Sequence, residues 1–247
     1  MLMAMIGTVI KTEIVSYDLI IIGLIVGGAV GVVFAKRVEM TSMPQLVALF
    51  NGFGGLSSLL VATAEVYKGS LPATFTLSTI SLSILIGSIT FSGSLVAFAK
   101  LQGLMRGSPL AFKGTQIFNG LLILAVIVMT VFSILNPDQL FDYFLWIIIF
   151  SLVIGYYFVV PIGGADMPVV IALLNSFSGL AAAATGFVIQ NDALIISGAL
   201  VGASGIILTN IMCKGMNRTI WNVLFVGIKV STSTAEGVQK TAKSYEP

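Results

Sequence analysis

Seven apolar runs, each close to 20 residues long, alternate with short polar breaks along this 247-residue chain. They cover 18–35, 44–64, 74–99, 115–135, 141–160, 167–189 and 193–211. A helix of about 20 apolar residues crosses the hydrocarbon core of a bilayer. The breaks hold charges and turn formers: Lys36-Arg37, Lys100, a segment with Arg106, Pro109 and Lys113, Asn136-Pro137-Asp138, Ile162 to Asp166, and Gln190-Asn191-Asp192. Backbone polar groups in lipid must be satisfied within the protein, which restricts spanning segments to helices or closed barrels. Runs of this length predict helices. The expected fold is all-α, a polytopic transmembrane helix bundle. The opening MLMAMIGTVI is apolar but too short to span, and it lacks a basic flank and a cleavage site. It reads as the end of a truncated helix, not a signal peptide. The tail from about Ser231 is polar and aperiodic, so alone it is expected to be disordered and to act as a linker. The expected organisation is a helix end and outer loop over 1–17, a transmembrane domain over 18–211 and a polar tail over 212–247.

One stretch occurs twice. Met43 to Leu56 reads MPQLVALFNGFGGL, and Met167 to Leu180 reads MPVVIALLNSFSGL, at a constant offset of 124 with eight of fourteen positions identical. In so apolar a composition this indicates an internal repeat. On a helix Pro44, Ala48, Asn51 and Gly55 fall on one stripe, as do Pro168, Ala172, Asn175 and Gly179. Each stripe sets one carboxamide among small residues within an apolar run. Buried Asn and Gly serve as helix-packing glue; two Asn at matched positions also suit a polar path or binding locus.

The span after each copy is rich in small residues. Ser83, Gly87, Thr90 and Ser94 share a stripe on one, and Gly198, Gly202, Gly205 and Thr209 share a stripe on the other. Close helix packing of the small-xxx-small type is one reading. A narrow polar cleft holding water is the other. The two are compatible, because four close helices can enclose a water file.

Composition supports the membrane assignment. The chain is 57% hydrophobic and 9% charged, with a mean hydropathy of +1.07, whereas soluble domains carry about 25% charged residues. A net charge of +2 is too small to argue for nucleic acid. One cysteine, Cys213, rules out a disulfide framework and a multi-cysteine metal site. The absence of histidine removes the commonest proton shuttle and metal ligand. No phosphate loop, metal cluster or nucleophile–base arrangement is apparent, so no catalytic residue and no metal is expected here.

Charge asymmetry orients the bundle. Lys36, Arg37, Lys100, Arg106, Lys113, Lys214, Arg218 and Lys229 fall on one side. Glu13, Asp18, Glu65, Asp138, Asp142 and Asp192 fall on the other, against Lys11 and Lys68. The positive-inside rule puts the first side in the cytoplasm. Both copies then run outward, which makes the internal repeat parallel, about an axis along the membrane normal. Lys36, Arg37, Lys100 and Lys214 read as orientation determinants. Asp166 precedes the second copy, where an acid caps free N–H groups and complements the helix dipole. Arg218 follows the last span and suits pairing with Asp166 or with a soluble partner. Asn51 and Asn175 do not titrate; they can orient water or a titrating partner, not carry a proton alone.

The stretches VEMTSMPQLVALFNGFGGL, FSGSLVAFAKLQG, GGADMPVVIALLNSFSGLAAAATGF and SGALVGASGIILTNIMCKGMNR resemble the membrane part of the beta subunit of proton-translocating NAD(P) transhydrogenase. The resemblance runs from about Gly23 to Arg218, and GGADMP and IMCKGMNR are its most specific parts. It implies a complex that couples hydride transfer from NADH to NADP+ to inward proton movement. In that family an alpha subunit holds the NAD(H) site and contributes membrane helices, an NADP-binding Rossmann domain follows the beta membrane helices, and the complex is a dimer. The resemblance further implies a multi-pass protein of a bacterial-type inner membrane with a cytoplasmic C-terminal tail. This chain would bind no cofactor itself, its tail leading toward an NADP-binding domain. By the same match Asn51 and Asn175 are polar residues of the proton path, with Ser83, Thr90 and Ser94 beside them. Gly198, Gly202, Ser204 and Gly205 belong to the close-packed helix lining it, and Asp166 and Arg218 communicate with the NADP domain. Some family members carry a proton-binding His where Asn51 stands, and others carry Asn with a His in the partner subunit. A stand-alone secondary transporter or channel is the competing expectation.

Overall fold

A computed structural model describes residues 17–68, 74–108, 114–136 and 139–224. The N-terminal helix end, Lys11, Glu13, Lys113, Asp138, Lys229 and the tail from 225 lie outside the described residues. Seven long helices follow in chain order: α1 (Asp18–Arg37), α2 (Met43–Val66), α3 (Thr74–Leu101), α4 (Thr115–Leu135), α5 (Leu140–Val159), α6 (Met167–Val188) and α7 (Asp192–Gly215). A short helix α8 (Ile220–Leu224) ends the described chain. All seven long segments have the length and hydropathy to cross a membrane, and no strand occurs among the described residues. The fold is an all-α polytopic bundle.

Residue chemistry accounts for the helix limits. Pro44 and Pro168 each stand in the first turn of their helix, where the missing N–H has no intrahelical partner to lose. Asn191 caps α7, its Oδ1 accepting from the Leu194 N–H at 3.1 Å. The last span continues past residue 211 to Gly215 because Ile211, Met212 and Cys213 extend the apolar run. It stops where Asn217 adopts a positive φ of 53°. Asp166 corrects an expectation: it occupies the N-cap position of α6, yet its side chain makes no capping bond. Its carboxylate is turned to Arg218 instead, which satisfies a buried charge better than a helix N–H does.

The core is built by α2, α3, α5, α6 and α7. The pairs α2–α3 and α6–α7 form the most extensive contacts, and α3 packs on α5 and α6 as well. Small residues let the backbones meet. A Cβ on Gly55 would lie 2.7 Å from the Gly87 carbonyl oxygen, and one on Gly198 would lie 2.7 Å from that of Gly179. Buried side chains divide into two clusters. Val96, Val159, Ile162, Met167, Val170 and Cys213 pack at the end where α3 finishes. Leu59, Ala62, Leu77, Ile80, Phe144 and Val188 pack at the other. α1 has no buried residue and touches the bundle through an edge-on Phe34–Phe50 contact, ring centroids 6.2 Å apart.

Candidate functional site

Asn51 sits in the middle of α2 and is 8% exposed. Its Nδ2 donates to Ser94 Oγ of α3 at 3.0 Å. Its Oδ1 accepts from Ser178 Oγ of α6 at 2.7 Å, and the same hydroxyl lies 3.2 Å from the Asn51 carbonyl oxygen. One carboxamide thus joins three helices, using one donor and one acceptor and leaving one of each. Seven residues on, roughly 10 Å along the helix, a second polar contact spans the same helices. Ser83 and Thr185 share a hydrogen bond of 2.7 Å, and Ser83 Oγ lies 3.4 Å from the Ser58 carbonyl oxygen.

These contacts border a groove of about 620 Å³ between α2 and α7, floored by α6. Asn51, Ser57 and Ser58 line it from α2, Ser178 and Thr185 from α6, and Ser197 and Gly198 from α7. Asn175 also faces it and is exposed in the chain by itself. Among the described residues the Asn175 carboxamide has no hydrogen-bond partner. No lining residue ionises: the groove holds amides, hydroxyls, glycines and apolar side chains. Such a surface can order water and orient a titrating group, but it carries no proton on a side chain of its own.

The other residues named from the sequence play different parts. Ser94 meets Asn51, and Ser83 meets Thr185. The Thr90 hydroxyl is committed to its own helix, donating to the Ile86 carbonyl at 2.7 Å, while its body packs on Gly55. Gly198 both packs on Gly179 and lines the groove. The Gly202 carbonyl accepts from Ser176 at 2.6 Å, and Gly205 leaves space for the Ser176 backbone. Ser204 is exposed and donates to the Val201 carbonyl at 3.0 Å, so it stands apart from the groove. Ser176, Ser178 and Thr185 were not picked out by sequence reasoning. A signal existed for two of them: NGFGG in the first copy becomes NSFSG in the second, which puts serines where the first has Gly52 and Gly54.

A second constellation lies at the end where α3, α5 and α7 finish. Arg218 Nη1 reaches both carboxylate oxygens of Asp166, at 2.9 and 2.7 Å. The Asp166 side chain is 7% exposed and that of Arg218 46%, so a buried acid is held by a cation that still faces outward. Lys100, read from the sequence as an orientation determinant, is buried at 5% exposure. Its Nζ donates to backbone carbonyls at the end of α5. The loop after α3 joins in, since the Gly164 N–H donates to the Gly107 carbonyl at 2.9 Å.

The family model for the NAD(P) transhydrogenase beta subunit matches residues 1–246. Two curated relatives, both named NAD(P) transhydrogenase subunit beta and both from Rhodospirillum rubrum, are 46% identical over 235 residues. The match covers 92% of this chain and 50% of each relative. The chain therefore spans about half the length of the curated relatives it matches.

Proposed function

Because the chain belongs to the NAD(P) transhydrogenase beta subunit family, we propose that it is the proton-translocating membrane part of such a complex, coupling hydride transfer from NADH to NADP+ to inward proton movement. The observation that carries this reading is the groove with Asn51 on one wall, Asn175 at its mouth and no ionisable side chain along it. A path built this way needs a titrating group from outside the groove's own lining. A carboxamide left without a partner in an apolar setting is costly, and Asn175, exposed on the groove, has none among the described residues. A transmembrane helix of the alpha subunit is the occupant that meets both needs: it supplies a partner for Asn175 and a proton carrier for Asn51 to orient. The competing reading, a stand-alone transporter or channel, is not favoured by the family.

In this reading the chain's own residues orient and exclude. Asn51 presents its spare N–H and lone pair to water or to the partner's carrier. Ser94 and Ser178 fix the rotamer of the carboxamide. The Gly179–Gly198 contact packs α6 on α7 along the groove, and the Gly55–Gly87 contact packs α2 on α3. At the other end Asp166 and Arg218 face the NADP-binding domain. In this reading NADP(H) sits on a domain outside the described residues and NAD(H) on the alpha subunit. The excess of Lys and Arg at the Asp166 end favours a cytoplasmic position for that end and for the tail, in what this reading takes as a bacterial-type inner membrane. The repeated sentence is read as a parallel duplication, and the whole complex as a dimer.

The test is the assembled complex in proteoliposomes, with hydride transfer and proton uptake measured together. Asn51→Leu is expected to depress both in step. Unchanged coupled rates in that variant would show that Asn51 serves packing alone.

A further inference from the structure

Lys100 is the penultimate residue of α3, and its ammonium group is spent entirely on backbone. Nζ donates to the carbonyl oxygens of Val160 at 2.5 Å, Ile162 at 2.7 Å and Val159 at 3.4 Å. Three donors meet three acceptors. Among the described residues no carboxylate lies within ion-pair distance of it. The acceptors are the last residue of α5 and the turn beyond, at the partly negative end of the helix; the Val159 carbonyl also accepts from the Ile162 N–H at 3.1 Å.

A left-handed residue just past a helix serves carbonyls further back in its last turn, not those of Val160 and Ile162, and no described residue between Val159 and Asp166 has a positive φ. The Val160 and Ile162 carbonyls are met from another helix, by a buried cation whose desolvation is offset only by close hydrogen bonds. The contact ties the end of α3 to the segment that leads into Asp166.

That segment is tied again at Gly164, whose N–H donates to the Gly107 carbonyl at 2.9 Å. Asp166 then meets Arg218, and the Arg218 N–H donates to the Cys213 carbonyl at 2.9 Å. Contacts thus run without a gap from α3, through residues 160–166, to the point where the chain leaves α7. The start of that series is informative. Ser94, the hydroxyl that receives the Asn51 carboxamide, lies on α3 only six residues before Lys100, roughly 9 Å along the axis.

We propose that Lys100 is a positioning residue that clamps residues 160–166 so that Asp166 meets Arg218, and that it thereby links displacement of α3 at Asn51 to the chain's exit from the bundle. The second half rests on the transhydrogenase reading; the first does not. Lys100 does not line the groove, and it acts only through Asp166.

Cys213 reports on the clamp. It is the chain's single cysteine, it is 1% exposed, and it packs in the same cluster as Val159, Val160 and Ile162. In the complete complex in membranes, its modification by a maleimide is read on this chain by mass spectrometry, without nucleotide. Lys100→Met keeps the aliphatic stem and removes the cation; it is expected to raise the labelling rate about tenfold by promoting local opening. Lys100→Arg keeps a cation and is expected to stay within about twofold of wild type. A thiol buried in the other cluster by Ala62→Cys is expected to stay as slow to label in Lys100→Met as in wild type, which reports an intact bundle. In the same membranes NADP(H) release is expected to change in the Met variant and to be restored in the Arg variant. Wild-type labelling of Cys213 in Lys100→Met, or equal labelling in the Met and Arg variants, would overturn the clamp. Raised labelling with unaltered NADP(H) release would overturn the link to the exit. A wild-type complex without coupled hydride transfer would defeat the transhydrogenase reading while leaving the labelling result to stand.

Discussion

Ser178 donates its hydroxyl proton to Oδ1 of Asn51 at 2.7 Å, across 127 positions of sequence. The two copies of the repeated sentence therefore touch through their polar residues. The contact is not between equivalent positions, because Asn175, the counterpart of Asn51, turns to the open groove. This asymmetry divides the work. One carboxamide is locked among three helices and the other has no partner among the described residues.

The locked carboxamide is expected to be the more sensitive. Asn51→Leu leaves Ser94 and Ser178 without their shared partner, and a buried polar group left unpaired costs about 1–3 kcal/mol. Coupled hydride transfer in proteoliposomes is expected to fall about tenfold or more, with proton uptake falling in parallel. Ser178→Ala removes one bond, worth about 0.5–1.5 kcal/mol, and is expected to show the smaller loss. A Ser178→Ala defect as deep as that of Asn51→Leu would place the function on the hydroxyl.

The open carboxamide gives a test of what fills the groove. In a Cys213→Ser background, Asn175→Cys is expected to react with a small membrane-permeant maleimide when this chain is expressed alone. Assembly with the alpha subunit is expected to slow that reaction about tenfold, since a packed helix excludes the reagent. Equal labelling in both states would remove the alpha subunit's helix from this groove.

Gly179 and Gly120 form a matched pair of controls for close packing. A Cβ on Gly179 would lie 2.8 Å from the Gly198 carbonyl oxygen and would press on the Gly202 backbone, whereas one on Gly120 meets nothing within 4 Å. Gly179→Ala is expected to destabilise the bundle by about 1–3 kcal/mol, because α6 and α7 must move apart. Gly120→Ala is expected to be neutral or slightly stabilising through helix propensity. Thermal unfolding in detergent reads both.

At the far end of the bundle, Arg218→Ala strands a carboxylate that is 7% exposed. Asp166→Asn removes the charge and keeps an acceptor, so it is expected to cost less stability than Arg218→Ala. Both are expected to alter NADP(H) release in the assembled complex more than proton conduction. Wild-type release rates combined with impaired conduction would move Asp166 into the proton path.

Topology is checked at two exposed positions. In the Cys213→Ser background, Arg106→Cys is expected to react with an impermeant maleimide only from the cytoplasmic face, and Lys68→Cys only from the outside. The opposite pattern would invert the bundle.

The amino-acid sequence by itself determined the number of spans and their limits within a few residues, because bilayer thickness demands apolar runs near 20 residues and charges cannot stay within them. It also located the pairs of small residues through which helices meet, and it brought Asp166 and Arg218 forward as candidates for pairing. It did not determine which side of each helix faces protein. In a soluble helix a polar face marks the solvent side; in lipid both faces are apolar, so Asn51 and Asn175 look alike in sequence although one is enclosed and the other exposed. Ser204 and Ser94 are similarly indistinguishable until the neighbouring helices are in place. Lys100 is the sharpest case. A lysine at the end of an apolar run reads as a charge held in water, and only the return of α5 brings three carbonyls to its ammonium and makes it a buried clamp. Hydrogen bonds to backbone carbonyls leave no trace in residue identity, since every residue carries the same acceptor, and tertiary structure alone decides which of them a side chain meets.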